Sequence, residues 1–420
     1  MNSSKNARML VFGHQRCITN SRRVKFVLRT NSACRILFMN TTPGSMKVPS
    51  VDLRAQYATL REEIQKAIHE VLESQGFILG SKVETLEREI AAYCRTQCAV
   101  GVASGTDALL LGLRAVGVSR GEEVITTPFT FFATAGAVHN AGGVPVFVDI
   151  DPRTFNIAVD QIEARITPRT RAIVPVHLFG QPADMKTVLE VARKHGLRVI
   201  EDAAQSIGSE YQLEGEWRKA GSMGDLGCVS FFPSKNLGGL GDGGMIVTND
   251  TGLAEQLRLL RVHGGRTRYI HEIVGFNSRL DALQAAALSI KLKYLDGWNS
   301  ARQKHASTYD RLFSLAGLGS HVQTPSIPPN SRSVFNQYVV RVKRRDELQK
   351  FLSGRGVSTA VYYPVPLHLQ PCFEFLRYQE GDFPVSELAA QEVLALPMYA
   401  ELTDDMQQYV VAQITEFYQS

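Results

Sequence analysis

Leu53, Tyr57, Leu60, Ile64, Ile68, Val71 and Leu72 follow one another at steps of mostly three and four residues, the spacing of an amphipathic helix. Gly76 and Gly80 interrupt the pattern, and Ser81-Lys82-Val83-Glu84 reads as a capping box opening a second helix through Val83, Leu86, Ile90 and Tyr93. From residue 98 the period changes. Short apolar, β-branched runs at 98–103, 124–127, 144–149, 172–177, 198–201, 229–232 and 245–248, most of them bounded by glycine or proline, predict buried strands. Helical stretches at 108–116 and 182–195 lie between them, and such alternation predicts an α/β sheet, mixed but mostly parallel, with helices on both faces. Helices are expected at 251–262, 279–297 and 299–315. A Pro/Ser-rich loop at 324–331 then marks a change of composition. Beyond it, strands at 335–342 and 357–363 and helices at 346–353, 386–395 and 403–417 predict a smaller α+β unit. The expected division is a large domain over 46–300 and a small one over 301–420.

Composition adjusts this picture in four places. A 420-residue chain with 44% hydrophobic and 21% charged residues can bury more than one core. No apolar run approaches the roughly 20 residues that span a bilayer, so no membrane partner is expected. The net charge of +5 suggests a basic face, but residues 1–45 hold eight Lys/Arg and no acid, leaving the rest at about −3. The basic character belongs to this leader, and no nucleic-acid partner is expected. A targeting segment and translated sequence upstream of a start at Met46 both fit the leader. The second is expected, because folded-looking sequence begins at once at Lys47. Cys17, Cys34, Cys94, Cys98, Cys228 and Cys372 are scattered without metal-ligand spacing, so neither a disulfide framework nor a metal site is expected and reduced, cytoplasmic thiols are.

The chemistry gathers around Lys235. It lies in Ser230-Phe231-Phe232-Pro233-Ser234-Lys235-Asn236-Leu237, between two predicted strands, with five glycines in the turn that follows. A dry, tightly packed pocket disfavours the charged amine and makes it nucleophilic. The phosphate-loop alternative fails on order, since its glycines precede the lysine. Ser104-Gly105-Thr106-Asp107 carries a strand into a helix and presents free amides to an anion, as many α/β turns do. Asp202 follows a strand and is followed by small residues; it suits a protonated pyridine nitrogen, and equally a helix cap. Phe131 offers a face to a flat ring or simply packs. Amine, ring-nitrogen partner, stacking face and a phosphate cup that includes the Ser230 hydroxyl together describe pyridoxal 5′-phosphate (PLP). His177, His263 and His271 are left without a role.

From Val48 onward the chain resembles the DegT-type nucleotide-sugar aminotransferases of PLP fold type I. The resemblance runs in order through Ala103-Ser104-Gly105-Thr106-Asp107-Ala108-Leu109, Thr130-Phe131-Phe132-Ala133-Thr134, Pro175-Val176-His177-Leu178-Phe179-Gly180-Gln181 and Glu201-Asp202-Ala203-Ala204-Gln205-Ser206. It continues through the Lys235 stretch, Gly275-Phe276-Asn277-Ser278-Arg279-Leu280-Asp281-Ala282-Leu283-Gln284 and Tyr362-Tyr363-Pro364-Val365-Pro366-Leu367-His368. It implies a Schiff base between PLP and Lys235, Asp202 on the pyridine nitrogen and Gln205 near the ring hydroxyl. It also implies that Gly105, Thr106 and Ser230 hold the phosphate. Asn277 is expected to reach the phosphate of a neighbouring subunit, which makes the active sites shared within a homodimer. Arg279, Tyr362, Tyr363 and His368 are expected on the sugar-nucleotide side. The implied activity moves an amino group from L-glutamate to a keto-sugar nucleotide, UDP- or dTDP-linked and 3-keto rather than 4-keto. Two alternatives share the scaffold: a sugar 3-dehydratase, which carries histidine where this chain has Lys235, and a non-catalytic ligand-sensing regulator, whose cofactor residues should be eroded.

Overall fold

The computed structural model describes residues 46–420 and, for the backbone only, two antiparallel strands at Lys25–Thr30 and Ala33–Phe38. The rest of the leader, with the expectations placed on it, lies outside the described residues. Within 46–420 the main sheet has seven strands: β1 (Cys98–Val102), β2 (Glu123–Thr126), β3 (Val144–Phe147), β4 (Thr170–Ile173), β5 (Arg198–Asp202), β6 (Leu226–Ser230) and β7 (Gly244–Thr248). Their order is β1-β7-β6-β5-β4-β2-β3. Five neighbouring strands pair in parallel from β6 to β3, and only β7 runs against its neighbours. β6, β7, β2 and the inner end of β4 are buried, as expected of strands covered on both faces.

Helices α1 (Leu53–Ser74), α2 (Ser81–Cys94), α3 (Gly105–Ala115), α4 (Ala133–Asn140), α5 (Met185–His195), α6 (Thr251–Leu260) and α7 (Ala282–Leu292) surround the sheet. One face packs Leu109, Leu113, Leu253 and Leu257 of α3 and α6 on Val100, Ile200, Leu226 and Ile246. The other packs Val83, Leu86 and Ile90 of α2 with Leu288 of α7 on Ala99, Met245 and Val247. The predicted stripe of α1 holds along its middle: Leu60, Ile64 and Val71 are buried, with Ala67, meeting Ala282, Ala286 and Ala287, whereas Leu53 and Leu72 at its ends are exposed. The expected capping box is not. Gly80, at φ +79°, takes the cap position, and Ser81 is already helical.

A second core forms around a three-stranded antiparallel sheet of Val322–Gln323, Tyr338–Val342 and Val393–Leu396. Helices α8 (Leu295–Leu315), α9 (Arg345–Gly354) and α11 (Asp404–Gln419) cover it, and α10 (Pro384–Glu392) precedes its last strand. Val48 belongs to this core, exchanging hydrogen bonds with Gly356 and Ser358. α8 runs unbroken through residue 300. Two expectations are corrected here. The helix expected over 386–395 stops at Glu392, and Val393–Leu396 becomes a strand because it pairs with Tyr338–Val342. The strand expected over 357–363 reduces to single bridges at Val357 and Ala360. The hairpin Glu210–Leu213 with Glu216–Lys219 was not expected, because its polar, charged strands carry no apolar run.

Candidate active site

The parallel strands β1, β2, β4, β5 and β6 share one direction, so the segments leaving their C-terminal ends gather at one edge of the sheet, where ligands collect on such folds. Ser104–Thr106, Phe131, His177, Asp202 and Ser230 all come from those ends. Lys235 follows β6 in a turn closed by Lys235 N–H donating to Phe232 O (2.9 Å) and Gly239 N–H to Phe231 O (2.7 Å). Its amine hydrogen-bonds to nothing among the described residues. Burial draws it down to about 8, and the Asp202 carboxylate pulls in the other direction.

Asp202 ends β5 and is buried. Burial pushes its carboxyl upward, opposed first by the Thr134 hydroxyl, then by the Ala204 amide, Lys235 and His177. Thr134 donates to Oδ2 at 2.8 Å and Ala204 N–H to Oδ1 at 3.2 Å. Because the Thr134 proton is committed to Asp202, Thr130, 3.1 Å away, is the donor to Thr134. Neighbouring Glu201 points to the opposite face of the strand and is fully buried. It accepts from the amides of Gly221, Met223 and Gly224 and from His177 Nε2 (2.8 Å). His177 Nδ1 accepts from Ala183 N–H (3.1 Å), which puts the ring proton on Nε2. His177 is thus a strut between Glu201 and the 183 amide, and it reaches Asp202 through its backbone, His177 N–H donating to Asp202 O (3.0 Å).

The turn expected to hold a phosphate is tightly built. A Cβ at Gly105 would fall 2.6 Å from the Cβ of Ser230, and one at Gly244 2.3 Å from Ser104 O, so backbone passes backbone where only glycine fits. Ser104 caps α3 by accepting from Asp107 N–H (3.0 Å), leaving the Gly105 and Thr106 amides without a partner among the described residues. Phe131 presents an exposed ring with its centroid 6.2 Å from that of Tyr363. Gln205 joins the two parts of the site, accepting from Phe179 N–H (2.7 Å) and donating Nε2 to the Tyr363 hydroxyl (3.1 Å). Unpartnered amides at a helix N-terminus, a partnered but still accepting carboxylate, an amine with its pKa lowered and no hydrogen-bond partner among the described residues, and an exposed aromatic face suit the phosphate, ring nitrogen, aldehyde and ring of PLP.

The remaining expected residues lie differently. Tyr362 is half-buried beside Tyr363, and Arg279 is half-buried ahead of α7. Asn277 is exposed, bridged to Val262, and bonds to neither Lys235 nor Ser230. His368 is the exception. Its ring is buried edge-on against Phe383 and shares a hydrogen bond with Glu387 (3.0 Å), so as the chain stands it has no surface to offer a ligand. Thr134 and Glu201 were missed by sequence reasoning although both sit in quoted motifs. The signal available was their adjacency to Phe131 and Asp202.

This fold and site define a type I PLP enzyme, and comparison with known proteins supplies the family. Residues 58–415 match the DegT/DnrJ/EryC1/StrS aminotransferase family, and the chain belongs to it. It is a PLP-dependent aminotransferase. It is 53% identical over 89% of its length to a pleiotropic regulatory protein of Geobacillus stearothermophilus, covering 99% of that protein. It is 46% identical to a UDP-N-acetyl-3-dehydro-alpha-D-glucosamine 3-aminotransferase of Acidithiobacillus ferrooxidans, over 85% of this chain and 94% of that one. Among solved structures, DesV of Streptomyces venezuelae in complex with a ketimine intermediate superposes with a TM-score of 0.85 at 43% identity, over 90% of this chain and all of that one.

Proposed function

We propose that the protein moves an amino group from L-glutamate to carbon 3 of a UDP- or dTDP-linked 3-keto sugar, in the cytoplasm, as a homodimer with shared active sites. The observation that carries the reading is the pairing of an unpartnered, depressed amine at Lys235 with the buried Asp202 carboxylate beside a free helix N-terminus. The names of the relatives support the sugar-nucleotide substrate, and that of the Acidithiobacillus protein supports carbon 3.

Bound PLP supplies an electron-poor ring that acidifies the carbon next to the amino nitrogen. Lys235 holds the cofactor and moves a proton at that carbon, a task suited to an amine whose pKa lies near the operating pH. Asp202 holds a proton on the ring nitrogen. Thr134 and Ala204 keep its carboxylate oriented and offset part of its burial. The Gly105 and Thr106 amides and the Ser230 hydroxyl hold the phosphate, aided by the α3 dipole. Phe131 would stack on the ring, and Gln205 with Tyr363 would close the side near the ring hydroxyl. Asn277 completes the partner's phosphate site, which accounts for its exposure. Arg279 and Tyr362 meet the sugar nucleotide, and His368 acts only by packing.

The regulatory name of the Geobacillus relative favours a second reading, a ligand sensor on the same fold. An intact Lys235, Asp202 and phosphate cup argue against it, and Lys235 argues against the dehydratase. Incubation with glutamate and a panel of 3- and 4-keto UDP- and dTDP-hexoses tests the proposal. Glutamate is expected to bleach the long-wavelength absorbance of the lysine-bound cofactor, and a 3-keto sugar to restore it. Restoration only by 4-keto sugars would move the chemistry to carbon 4, and no bleaching would favour the sensor.

A further inference from the structure

The turn carrying Lys235 is gripped from outside along most of its length. Asn236 Nδ2 donates to Asn299 Oδ1 of α8 (2.6 Å) and to Val334 O (3.0 Å). Leu240 N–H donates to Gln284 Oε1 (2.7 Å), and Lys291 Nζ donates to Gly238 O. Gln284 and Lys291 are two turns apart on α7 and therefore lie on one face of it. That face meets the turn at close range: a Cβ on Gly239 would fall 2.8 Å from Gln284 Oε1, and one on Gly241 2.9 Å from Gln284 Nε2. Gln284 sits in a motif that carried the family resemblance without receiving a role.

Lys291 is the unusual member. It is only 5% exposed and makes no ion pair among the described residues; its hydrogen bond goes to a backbone carbonyl. Its charged neighbour Glu401 is not in ion-pair contact with it, so burying the amine stays unfavourable, and an apolar side chain of the same length would fill the space at lower cost. What the amine adds is the grip on Gly238, three residues beyond Lys235. Protonated or neutral, it keeps an N–H for that carbonyl.

We infer that Lys291 is a positioning residue for Lys235: holding the Gly238 carbonyl while Gln284 holds the Leu240 amide, it fixes the turn and the direction from which the Lys235 amine enters the site. The inference rests on reading Lys235 as the cofactor-bearing amine. Apo wild type, Lys291→Met and Gln284→Met are mixed with PLP, reduced with borohydride at timed intervals and peptide-mapped, with thermal unfolding of each apo form alongside. Lys291→Met is expected to fold and to label Lys235 about tenfold more slowly, with kcat falling and KM for the sugar unchanged, since a small misplacement of a reacting group costs rate rather than binding. Gln284→Met should slow labelling about threefold through the same turn, and the two changes together should be non-additive. If Lys291→Met does not fold, the labelling rate of Gln284→Met decides. Wild-type labelling rates in the folded variants overturn the inference. Absence of label at Lys235 in the wild type would instead overturn the reading of Lys235 on which it rests.

Discussion

Lys235 and Lys291 are both drawn down to about 8 by the same cause, removal of the amine from water. Their surroundings then part. Lys235 sits in an irregular turn at the edge of the sheet, half-buried, with a free amine and Asp202 as its charged neighbour. Lys291 sits on α7, buried, committed to Gly238 O, with Glu401 as its charged neighbour. Desolvation alone therefore does not make a nucleophile; an amine must also be left without a partner where a ligand can arrive. On the reading proposed above, the first lysine reacts and the second holds.

Removing each feature in turn breaks or sharpens this contrast. Lys235→Ala should lower transamination by about 10⁴-fold while the circular dichroism spectrum stays native, since both the covalent attachment and the proton carrier are lost. Substantial residual turnover would erase the distinction between the two lysines. Asp202→Asn should retain PLP but lower kcat by about 10³-fold, because a neutral amide no longer favours a proton on the ring nitrogen. A nearly normal kcat would remove Asp202 from the chemistry.

The pH dependence separates a free amine from a committed one. Below about 8 the Lys235 amine is mostly protonated and cannot attack an aldehyde. PLP capture by the apo protein should therefore rise with pH, roughly tenfold per unit, and level above about 8. Rapid mixing across that range measures it, and a rise continuing toward the ordinary lysine value would show the amine to be solvated. Gly105→Ala should weaken PLP binding by about tenfold and cost roughly 1–3 kcal/mol of stability, because its methyl group overlaps Ser230. Equilibrium titration with PLP and denaturant unfolding check the two parts. Smallest of all, Glu401→Gln should change kcat by no more than about threefold, since Glu401 is the charged neighbour of the holding lysine, whereas that of the reacting one is Asp202. A loss comparable to that of Asp202→Asn would place Glu401 in the chemistry.

Much of this was legible along the chain because the main sheet is built from contiguous signals. Each strand is one short apolar run, and Gly105, Asp202, Ser230 and Lys235 lie at or just beyond strand ends, where a local pattern is enough to mark them. The partners were not legible. Thr134 lies 68 residues from the Asp202 it bonds, and Lys291 lies 53 residues from the Gly238 carbonyl. In the second core, 393–395 reads as helix by period and becomes strand by pairing; elsewhere, His368 reads as a ligand-facing residue and turns inward to Phe383 and Glu387.

The residue order by itself determined the alternating α/β layout, the lysine at the centre and the small set of groups that a B6 cofactor needs, since each depends on short-range periodicity or on side-chain chemistry within a few positions. Which carboxylate oxygen receives which proton, which histidine is only a strut, and which of two dry amines is left free were decided by the folded chain alone. Those outcomes turn on contacts between segments distant in sequence, and on how water is excluded from each, which no local pattern encodes.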